Sequence, residues 1–274
     1  MKYPHEKGAL NSVAKLVAKP LSILFANRIT FRYLRLVEFY INILLGKGAG
    51  TGWGIDSELR AAESCIATEN PVVFDIGSNK GEWAEGILNL FPEAELYLFE
   101  PQQHCLEILL QKKISYKKII DAAVSSKSGE KINLHLNKEG SGIASLHPRR
   151  DSYFRFMKFS ELEINTVTID DVVRENGISR VDFMKMDIEG HEYEALLGAK
   201  KSLELNVIKA LSFEFGSGNI NSRTYFHDFW DLLTPFGYSI YRVLPSGRLE
   251  HINDYYEDCE YFRGVTNYIA VHRE

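Results

Sequence analysis

The chain has 274 residues, 45% of them hydrophobic and 25% charged, and its net charge is −5 at pH 7. These values are ordinary for a soluble globular protein that has one enlarged domain, or one domain with an appendage, and a sizeable core. No apolar stretch reaches the roughly 18 residues that span a bilayer. The widely spaced Cys65, Cys105 and Cys259 form neither a disulfide framework nor a metal-knuckle pattern, so we expect a reducing, cytoplasmic compartment.

The first predicted unit is a basic helical extension over residues 1–52. Residues 1–50 contain eight Lys or Arg and two Glu, a net charge of +6 that leaves −11 for the rest of the chain. Apolar residues at three- to four-residue spacing predict helices between residues 10 and 46, with a break at Pro20. Basic residues interrupt the apolar stretches, which argues against a secretory signal. Three interpretations are open: a roof over an active site, a dimerisation arm, or an amphipathic anchor on anionic lipid, of which the first two lead.

Helices and strands alternate after residue 53, which predicts one α/β domain over residues 53–274 with a mostly parallel sheet. The pattern changes around residues 130–168, where we predict an inserted hairpin and a loop that could cap the active site. This loop mixes cationic and aromatic residues, among them His147, Arg149, Arg150 and Tyr153. The predicted helices cover residues 58–68, 81–90, 102–113, 169–175, 191–204 and 224–235, and the predicted strands cover residues 72–76, 95–99, 117–124, 131–136, 181–187, 207–214, 238–243 and 267–272.

The turn after the first of these strands is the most informative stretch. Asp75 lies near the end of a short apolar run, and Gly77 and Gly81 bracket a D-x-G-x-x-x-G turn. An unpaired buried carboxylate is costly, whereas glycines let a ligand approach the backbone N–H groups at a helix start, so the turn predicts a nucleotide-like ligand. The dinucleotide fingerprint would need glycine where the chain has Asn79 and Glu82, which disfavours a nicotinamide or flavin cofactor.

Glu100 follows the second strand, 23 positions after Gly77. This is near the spacing of roughly 20 residues at which an acidic side chain binds ribose hydroxyls in doubly wound folds. Nearby carboxylates suit a cofactor with a sulfonium and an amino group, whereas a pyrophosphate prefers positive partners. Asp75, the glycine turn and Glu100 together resemble the cofactor motif of class I methyltransferases that use S-adenosylmethionine.

A second motif covers residues 181–192, where a predicted strand ends in Asp187, Glu189 and His191. Ligands of open α/β sheets gather outside the carboxyl ends of the strands, so this placement suits a reaction centre. With the first motif, the chain resembles the FkbM family of methyltransferases over roughly residues 70–215. The matching segments are D-I-G-S-N-K-G at 75–81, F-E-P at 99–101, the Ser141–Ser145 loop, T-I-D-D at 168–171, K-M-D-I-E-G-H-E at 185–192 and L-G-A at 197–199.

The resemblance implies a Rossmann-like class I methyltransferase fold, with a mostly parallel seven-stranded sheet and helices on both faces. It implies S-adenosyl-L-methionine as cofactor and O-methylation, commonly of sugar hydroxyls on glycans or glycosylated natural products. By position, Asp75 and the glycines would hold the methionine portion, Glu100 the ribose, and Asp121 would be an adenine candidate. The cofactor-binding residues implied in this way are Asp75, Gly77, Ser78, Asn79, Gly81, Trp83, Glu100, Pro101, Asp121, Ala122, Ser141 and Asp187.

A sugar hydroxyl is a poor nucleophile, so the reaction needs an aligned acceptor oxygen and a base that takes its proton. The candidate bases are His191, Asp187, Glu189 and Glu214, with His191 and Asp187 ranked first. Alternatively, Asp187, Glu189 and Glu214 could hold a divalent cation such as Mg²⁺ that orients a diol. We expect a small-molecule or glycan acceptor, and no nucleic acid partner because the chain is acidic and lacks an aromatic and basic RNA module.

Two other functions are open at this point. One is a methyltransferase that acts on another small-molecule hydroxyl or on a carboxylate. The other is a non-catalytic module that keeps the fold and binds a glycan or a partner protein. The intact set of Asp75, Gly77, Gly81 and Glu100 favours an enzyme, because a module without turnover would have no need of the complete glycine turn.

Overall fold

The computed structural model describes residues 9–48, 50, 54–149 and 154–273. The predicted domain boundary after residue 52 lies outside these ranges, as do Arg150 and Tyr153 of the predicted capping loop. The chain divides into two compact units, Met1–Leu45 and Gly46–Glu274.

The first unit contains two helices, α1 (Ala9–Phe25) and α2 (Arg28–Leu44). The predicted break at Pro20 is wrong, because Pro20 lies inside α1. Helix α1 ends at Phe25 instead. At Asn27 the backbone is extended, and the side-chain oxygen accepts hydrogen bonds from the backbone N–H groups of Ile29 and Thr30. This is the arrangement of a helix N-cap, which starts α2. None of the described helices is both long enough and apolar enough to cross a membrane.

The second unit is built on an eight-stranded sheet. Its strands are β1 (Val72–Ile76), β2 (Glu95–Phe99), β3 (Lys118–Ile120), β7 (Phe183–Met186), β8 (Ala210–Gly216), β9 (Tyr238–Val243), β10 (Leu249–His251) and β11 (Val265–His272). They lie in the order β10-β9-β11-β8-β7-β1-β2-β3. The strands from β8 to β3 in this order are parallel, whereas β11 is antiparallel to β8 and β9, and β10 is antiparallel to β9.

The prediction of seven strands is wrong, because β10 adds an eighth strand at the edge of the described sheet. Its three residues are too few to show a period of two in the sequence. The predicted strand 117–124 is also divided. Its first part is β3, whereas β4 (Ala123–Val124) pairs with β6 (Ser160–Val167) in a separate three-stranded sheet that β5 (Lys131–Leu136) completes.

Two hydrophobic clusters cover the two faces of the large sheet. Alternate residues of β1 separate between them, with Phe74 and Ile76 in one cluster and Val73 in the other, as the alternating faces of a strand require. The helices of this unit are α3 (Asp56–Cys65), α4 (Glu82–Leu90), α5 (Gln103–Gln111), α6 (Ile169–Glu175), α7 (Glu192–Leu197), α8 (Lys200–Glu204), α9 (Ser217–Ser222) and α10 (Phe226–Leu233), with short 3-10 helices at Thr234–Phe236 and Glu257–Glu260.

The predicted helix 191–204 is two helices, α7 and α8, that meet at Gly198 and Ala199. A Cβ atom on Gly198 would lie 2.1 Å from the backbone oxygen of Ser125. Glycine therefore lets this turn pack directly against the chain that follows β4, and the helical path breaks there. Helix α9 was not predicted, because its six residues, SGNINS, carry no apolar periodicity.

Candidate functional site

The turn after β1 brings two strands of the sheet close together. Gly77 has φ 79°, and a Cβ atom there would lie 2.1 Å from the backbone oxygen of Asp187, which follows β7. The backbone N–H groups of Gly77 and Ser78 each donate to the carbonyl of Phe99 at 3.0 Å. Gly81, also with φ 79°, begins α4. Both glycines therefore occupy positions that the turn requires, as the sequence predicted.

Glu100, at the end of β2, is connected to this turn by a hydrogen bond. Its Oε2 accepts from the backbone N–H of Asn79 and its Oε1 accepts from that of Gln102, both at 2.8 Å. The side chain is 3% exposed. Burial raises the pKa of Glu100 to about 7, although the backbone hydrogen bonds from Gln102 and Asn79 oppose that shift.

The main cavity of the site, about 630 Å³ and partly open to solvent, lies at the carboxyl ends of these strands. One part of its wall is apolar and the remainder carries Glu100, Asp187, Glu189 and His191. The lining residues are Ile76, Gly77, Asn79, Phe99, Glu100, Pro101, Gln102, Ala122, Ala123, Val124, Leu134, Ser141, Gly142, Ala144, Leu146, Asp187, Ile188, Glu189 and His191. This placement agrees with the rule that ligands of open α/β sheets bind at the carboxyl edge.

Five predicted cofactor residues do not line this cavity: Asp75, Ser78, Gly81, Trp83 and Asp121. Asp75 is fully buried and its nearest cation is Lys185. Trp83 is in the core, where it stacks on Phe183 with ring centroids 6.0 Å apart. Asp121 is exposed to solvent. Its neighbour Ala122 lines the cavity in its place.

Lys185 connects Asp75 with Asp187. Its Nζ lies 3.5 Å from Asp75 Oδ1 and 3.3 Å from Asp187 Oδ2, and its side chain is 7% exposed. Burial lowers the pKa of Lys185, but the carboxylates around it outweigh burial and leave that pKa above its usual value. Burial raises the pKa of Asp75 against the opposing charge of Lys185. Neither oxygen of Asp75 has a hydrogen-bond partner in the described part of the chain. The ion pair with Lys185 is therefore the main interaction that offsets the cost of burying the Asp75 charge.

Glu214, a predicted catalytic residue, faces a different cavity. This second space of about 290 Å³ is lined by Glu58, Lys185, Asp187, Glu214 and six other residues. Asp187 borders both cavities. Burial, followed by the charge of Asp187, raises the pKa of Glu214. Glu214 is therefore separated from Glu189 and His191, which line the first cavity, whereas Asp187 borders both cavities.

His191 is the centre of a short hydrogen-bond chain. Its Nε2 lies 3.0 Å from Ser125 Oγ, and its Nδ1 lies 3.2 Å from Nε2 of His147. Burial lowers the pKa of His191 to about 3, and the nearby His147 adds to that shift. The ring of His191 is consequently neutral at physiological pH, and both of its nitrogens are engaged.

Glu189 is paired with a cation from the inserted segment. Its carboxylate forms an ion pair with Arg149, and its backbone oxygen accepts a hydrogen bond from Ser145 Oγ at 2.8 Å. Within the described ranges, no group of three or more His, Cys, Asp or Glu side chains has the geometry to hold a metal ion. The structure therefore does not support the predicted cation site at Asp187, Glu189 and Glu214, since Arg149 neutralises Glu189 and Glu214 lies at the second cavity.

Several residues of the site were not singled out from the sequence. Gln102 lines the main cavity, and its Nε2 donates to the backbone oxygen of Ser141 at 3.2 Å. Its buried Oε1 has no hydrogen-bond partner among the described residues. Ser125 and Lys185 also emerge only from the fold. Lys185 stands inside the K-M-D-I-E-G-H-E motif, which is the signal that could have identified it.

Comparison with known proteins identifies the same family as the sequence motifs. Residues 75–240 match the family model described as the methyltransferase FkbM domain. The 2-O-methyltransferase NoeI of Sinorhizobium fredii (strain NBRC 101917 / NGR234) is 27% identical over 155 residues, 53% of this chain and 63% of that protein. The methyltransferase sdnD of Sordaria araneosa is 26% identical over 157 residues, 47% of this chain and 60% of that protein. The chain thus spans about three fifths of the length of these curated relatives.

Among solved structures, the crystal structure of the methyltransferase FkbM from Methylobacillus flagellatus KT aligns with a TM-score of 0.43 and 15% identity, over 74% of this chain and 44% of that chain. The family model covers more than half of the present chain. The match confirms the resemblance found from the glycine turn and the second motif. The chain belongs to the FkbM methyltransferase family.

Proposed function

We propose that the protein is an S-adenosylmethionine-dependent O-methyltransferase that acts on a sugar hydroxyl. The observation that carries this proposal is the main cavity at the carboxyl edge of the sheet, which is lined by Glu100 after β2 and by Asp187 after β7, the two strands that flank β1. Family membership supports methyl transfer. The name of the Sinorhizobium fredii relative, a 2-O-methyltransferase, supports an oxygen acceptor.

The cavity residues fit the proposed cofactor. Phe99, Ala122 and Leu134 give an apolar wall that suits an adenine ring. The unsatisfied Oε1 of Gln102 could accept a hydrogen bond from an amino N–H. Glu100 is held by two backbone N–H groups and keeps acceptor capacity for ribose hydroxyls. The carboxylate of Asp187 favours a positively charged ligand group at the other part of the wall.

S-adenosylmethionine, when bound, supplies an electrophilic methyl group. The chain then has to exclude water, orient the acceptor and remove one proton from its hydroxyl. We assign proton removal to Asp187, which is about one third exposed (38%) and lies at the cavity wall. Lys185 holds this carboxylate in position, with its Nζ 3.3 Å from Asp187 Oδ2.

The other base candidates are less suited to this role. Glu189 is held by Arg149, and its side chain is 21% exposed, against 38% for that of Asp187. His191 has both nitrogens engaged, and its low pKa makes it a weak proton acceptor. We assign to His191 a positioning role, because its contacts with Ser125 and His147 connect the chain after β4 to the inserted segment at the cavity edge.

The test is a transfer assay with methyl-labelled S-adenosylmethionine and a panel of sugars and oligosaccharides, each paired with its 2-deoxy analogue. We expect label in the 2-hydroxy acceptors and none in their 2-deoxy partners, with the position confirmed by mass spectrometry. Label in both members of every pair would assign the transfer to another hydroxyl of the sugar. Label only in carboxylates or in other small hydroxyl compounds would overturn the sugar assignment.

The matched variants are Asp187→Asn and Asp121→Asn, since Asp121 is an exposed aspartate that does not line the cavity. We expect Asp187→Asn to lower kcat by about 10²- to 10⁴-fold, the usual contribution of a general base, and Asp121→Asn to leave it unchanged. Cofactor binding without turnover on any acceptor would favour the non-catalytic module instead. Full activity in Asp187→Asn would remove this residue from the mechanism.

A further inference from the structure

The basic residues of α1 and α2 form a stripe along each helix. Arg28, Arg32 and Arg35 follow one another at intervals of four and three residues in α2, and Lys15 and Lys19 are four apart in α1. Such spacing puts side chains on one face of a helix. Between residues 9 and 37 the sequence contains no acidic residue, so each stripe is cationic over most of its length.

An apolar and exposed face of α2 lies beside the arginines. Ile29, Tyr33, Leu36, Tyr40 and Leu44 recur at intervals of three and four residues, about a quarter to half a turn around the helix from the arginines. Ile29 is 78% exposed and Leu44 is 75% exposed, and the three residues between them are exposed as well. These side chains are thus available to a partner along the whole length of the helix.

Helix α1 repeats the pattern. Leu16 and Ile23 are 78% and 80% exposed, and Val13, Val17 and Leu24 are exposed too. Val13, Val17 and Leu24 lie on the side of α1 away from its lysines, and Leu16 and Ile23 lie between that side and the lysines, because a residue advances by about 100° around a helix. Exposed apolar faces of this kind mark interaction sites, since soluble proteins seldom leave them uncovered.

We propose that α1 and α2 bind an anionic membrane surface, with their apolar faces at the boundary between headgroups and acyl chains and their cations at lipid phosphates. A large apolar face beside Lys and Arg is the pattern of helices that lie in a bilayer interface. The tyrosines of α2 suit this depth, because they have an apolar ring and a polar tip. This inference does not depend on the proposed reaction.

A second copy of the chain fits these helices less well. A seam between paired helices is a narrow stripe, whereas Leu34, Val37 and Ile41 are also exposed and widen the apolar face of α2. Pairing of such faces would also leave the five cations of the stripes without a partner of opposite charge. Phosphate groups of anionic lipid provide that partner.

The experiment is co-sedimentation of the full chain with vesicles of phosphatidylcholine alone and with added phosphatidylglycerol. We expect strong binding to the anionic vesicles, weak binding to the neutral ones, and release as salt is raised. Hydrogen exchange on the bound protein should slow in peptides from residues 9–44 and stay unchanged in β1, β2 and β7. Protection confined to the sheet would overturn the assignment to the helices.

Two variants separate the charge from the apolar face. Replacing Arg28, Arg32 and Arg35 by Gln should lower the partition coefficient about 100-fold, because each surface cation contributes about 1 kcal/mol. The double variant Ile29→Gln and Leu36→Gln should lower it by about tenfold or more for each residue. Circular dichroism should show unchanged helix content in both variants, since Gln is a good helix former.

The control replaces Lys113, Lys127 and Lys138, three exposed lysines of the second unit, by Gln. It should bind anionic vesicles as the wild-type protein does. Equal loss of binding in this control would show a general charge effect and overturn the proposal. A dimer by light scattering that Leu36→Gln dissociates, together with no binding to either vesicle, would assign the faces to a second copy instead.

Discussion

Replacing Lys185 by methionine tests whether the buried ion pair beneath the site supports it. Methionine keeps the length and apolar stem of the side chain but leaves Asp75 and Asp187 without their shared cation, which lies 3.5 Å and 3.3 Å from them. Asp75 is fully buried and has no hydrogen-bond partner among the described residues. Its carboxylate would then have to take up a proton in the folded state.

Coulomb's law gives an attraction of about 5 kcal/mol for charges 3.5 Å apart at an effective dielectric constant near 20. Breaking a buried pair by removing one partner typically destabilises a protein by about 3–5 kcal/mol. We therefore expect Lys185→Met to lower the free energy of unfolding by about 3 kcal/mol or more at neutral pH. The loss should shrink as the pH falls, because protonation neutralises Asp75 and removes the unpaired charge.

Urea unfolding followed by tryptophan fluorescence measures this loss. Trp83 is a suitable reporter, since it is buried and lies 5.8 Å from Lys185 Nζ. A double-mutant cycle with Asp75→Asn should give a coupling free energy of about 2–3 kcal/mol. The matched control is Lys117→Met, which removes an exposed pair with Glu95 at 3.4 Å and should change stability by less than about 1 kcal/mol. Equal effects of the two lysine variants, or no coupling with Asp75, would refute the reasoning.

Three further predictions concern the turn, the histidine and the buried Glu192. Gly77→Ala should destabilise the protein by about 3 kcal/mol or more, because φ is positive there and the new Cβ atom would collide with the backbone of Asp187. The control Gly177→Ala has positive φ but open space around it, so urea unfolding should show a loss of only about 1 kcal/mol. His191 should stay neutral down to about pH 4, because burial lowers its pKa to about 3, and an NMR titration midpoint near its usual value would contradict its burial. Burial raises the pKa of Glu192 to about 7, so the folded state holds a proton that the unfolded chain releases above its own pKa near 4.3. The bound proton therefore stabilises the folded state fully below that lower pKa, and this contribution is lost as the pH rises to about 7. The free energy of unfolding, measured in urea between these pH values, should fall less steeply with pH in Glu192→Gln than in the wild-type protein.

The parts of the fold with strong local signals were predictable. The apolar run before Asp75 and the glycines after it identified β1 and the turn, and β1 and β2 have the predicted bounds. The parts that depend on distant partners were not. The division of residues 117–124 between two sheets depends on pairing with β2 and with β6. Pro20 lies inside α1, and the boundary between the first two helices falls at Ala26 and Asn27, where Asn27 caps α2.

The site shows the same contrast between sequence position and three-dimensional contact. Strand-end position brought Glu100, Asp187 and His191 to the cavity wall. It could not show that Arg149 would neutralise Glu189, or that Asp75 would be buried against Lys185 and not open to the cavity. These contacts join residues that are far apart in the chain. The cytoplasmic location and the absence of a nucleic acid partner stay predictions from composition, and a homodimer stays one of the open interpretations of the N-terminal helices.

Calorimetric titration with S-adenosylmethionine and S-adenosylhomocysteine tests the central claim most directly. The wild-type protein should bind both with a Kd on the order of micromolar. Ala144→Trp should abolish the heat of binding, because Ala144 lines the main cavity and an indole would fill it. Ala67→Trp, at an exposed alanine that does not line this cavity, should bind as the wild type does. Absence of binding in the wild-type protein, or unchanged binding in Ala144→Trp, would contradict the assignment of this cavity to the cofactor.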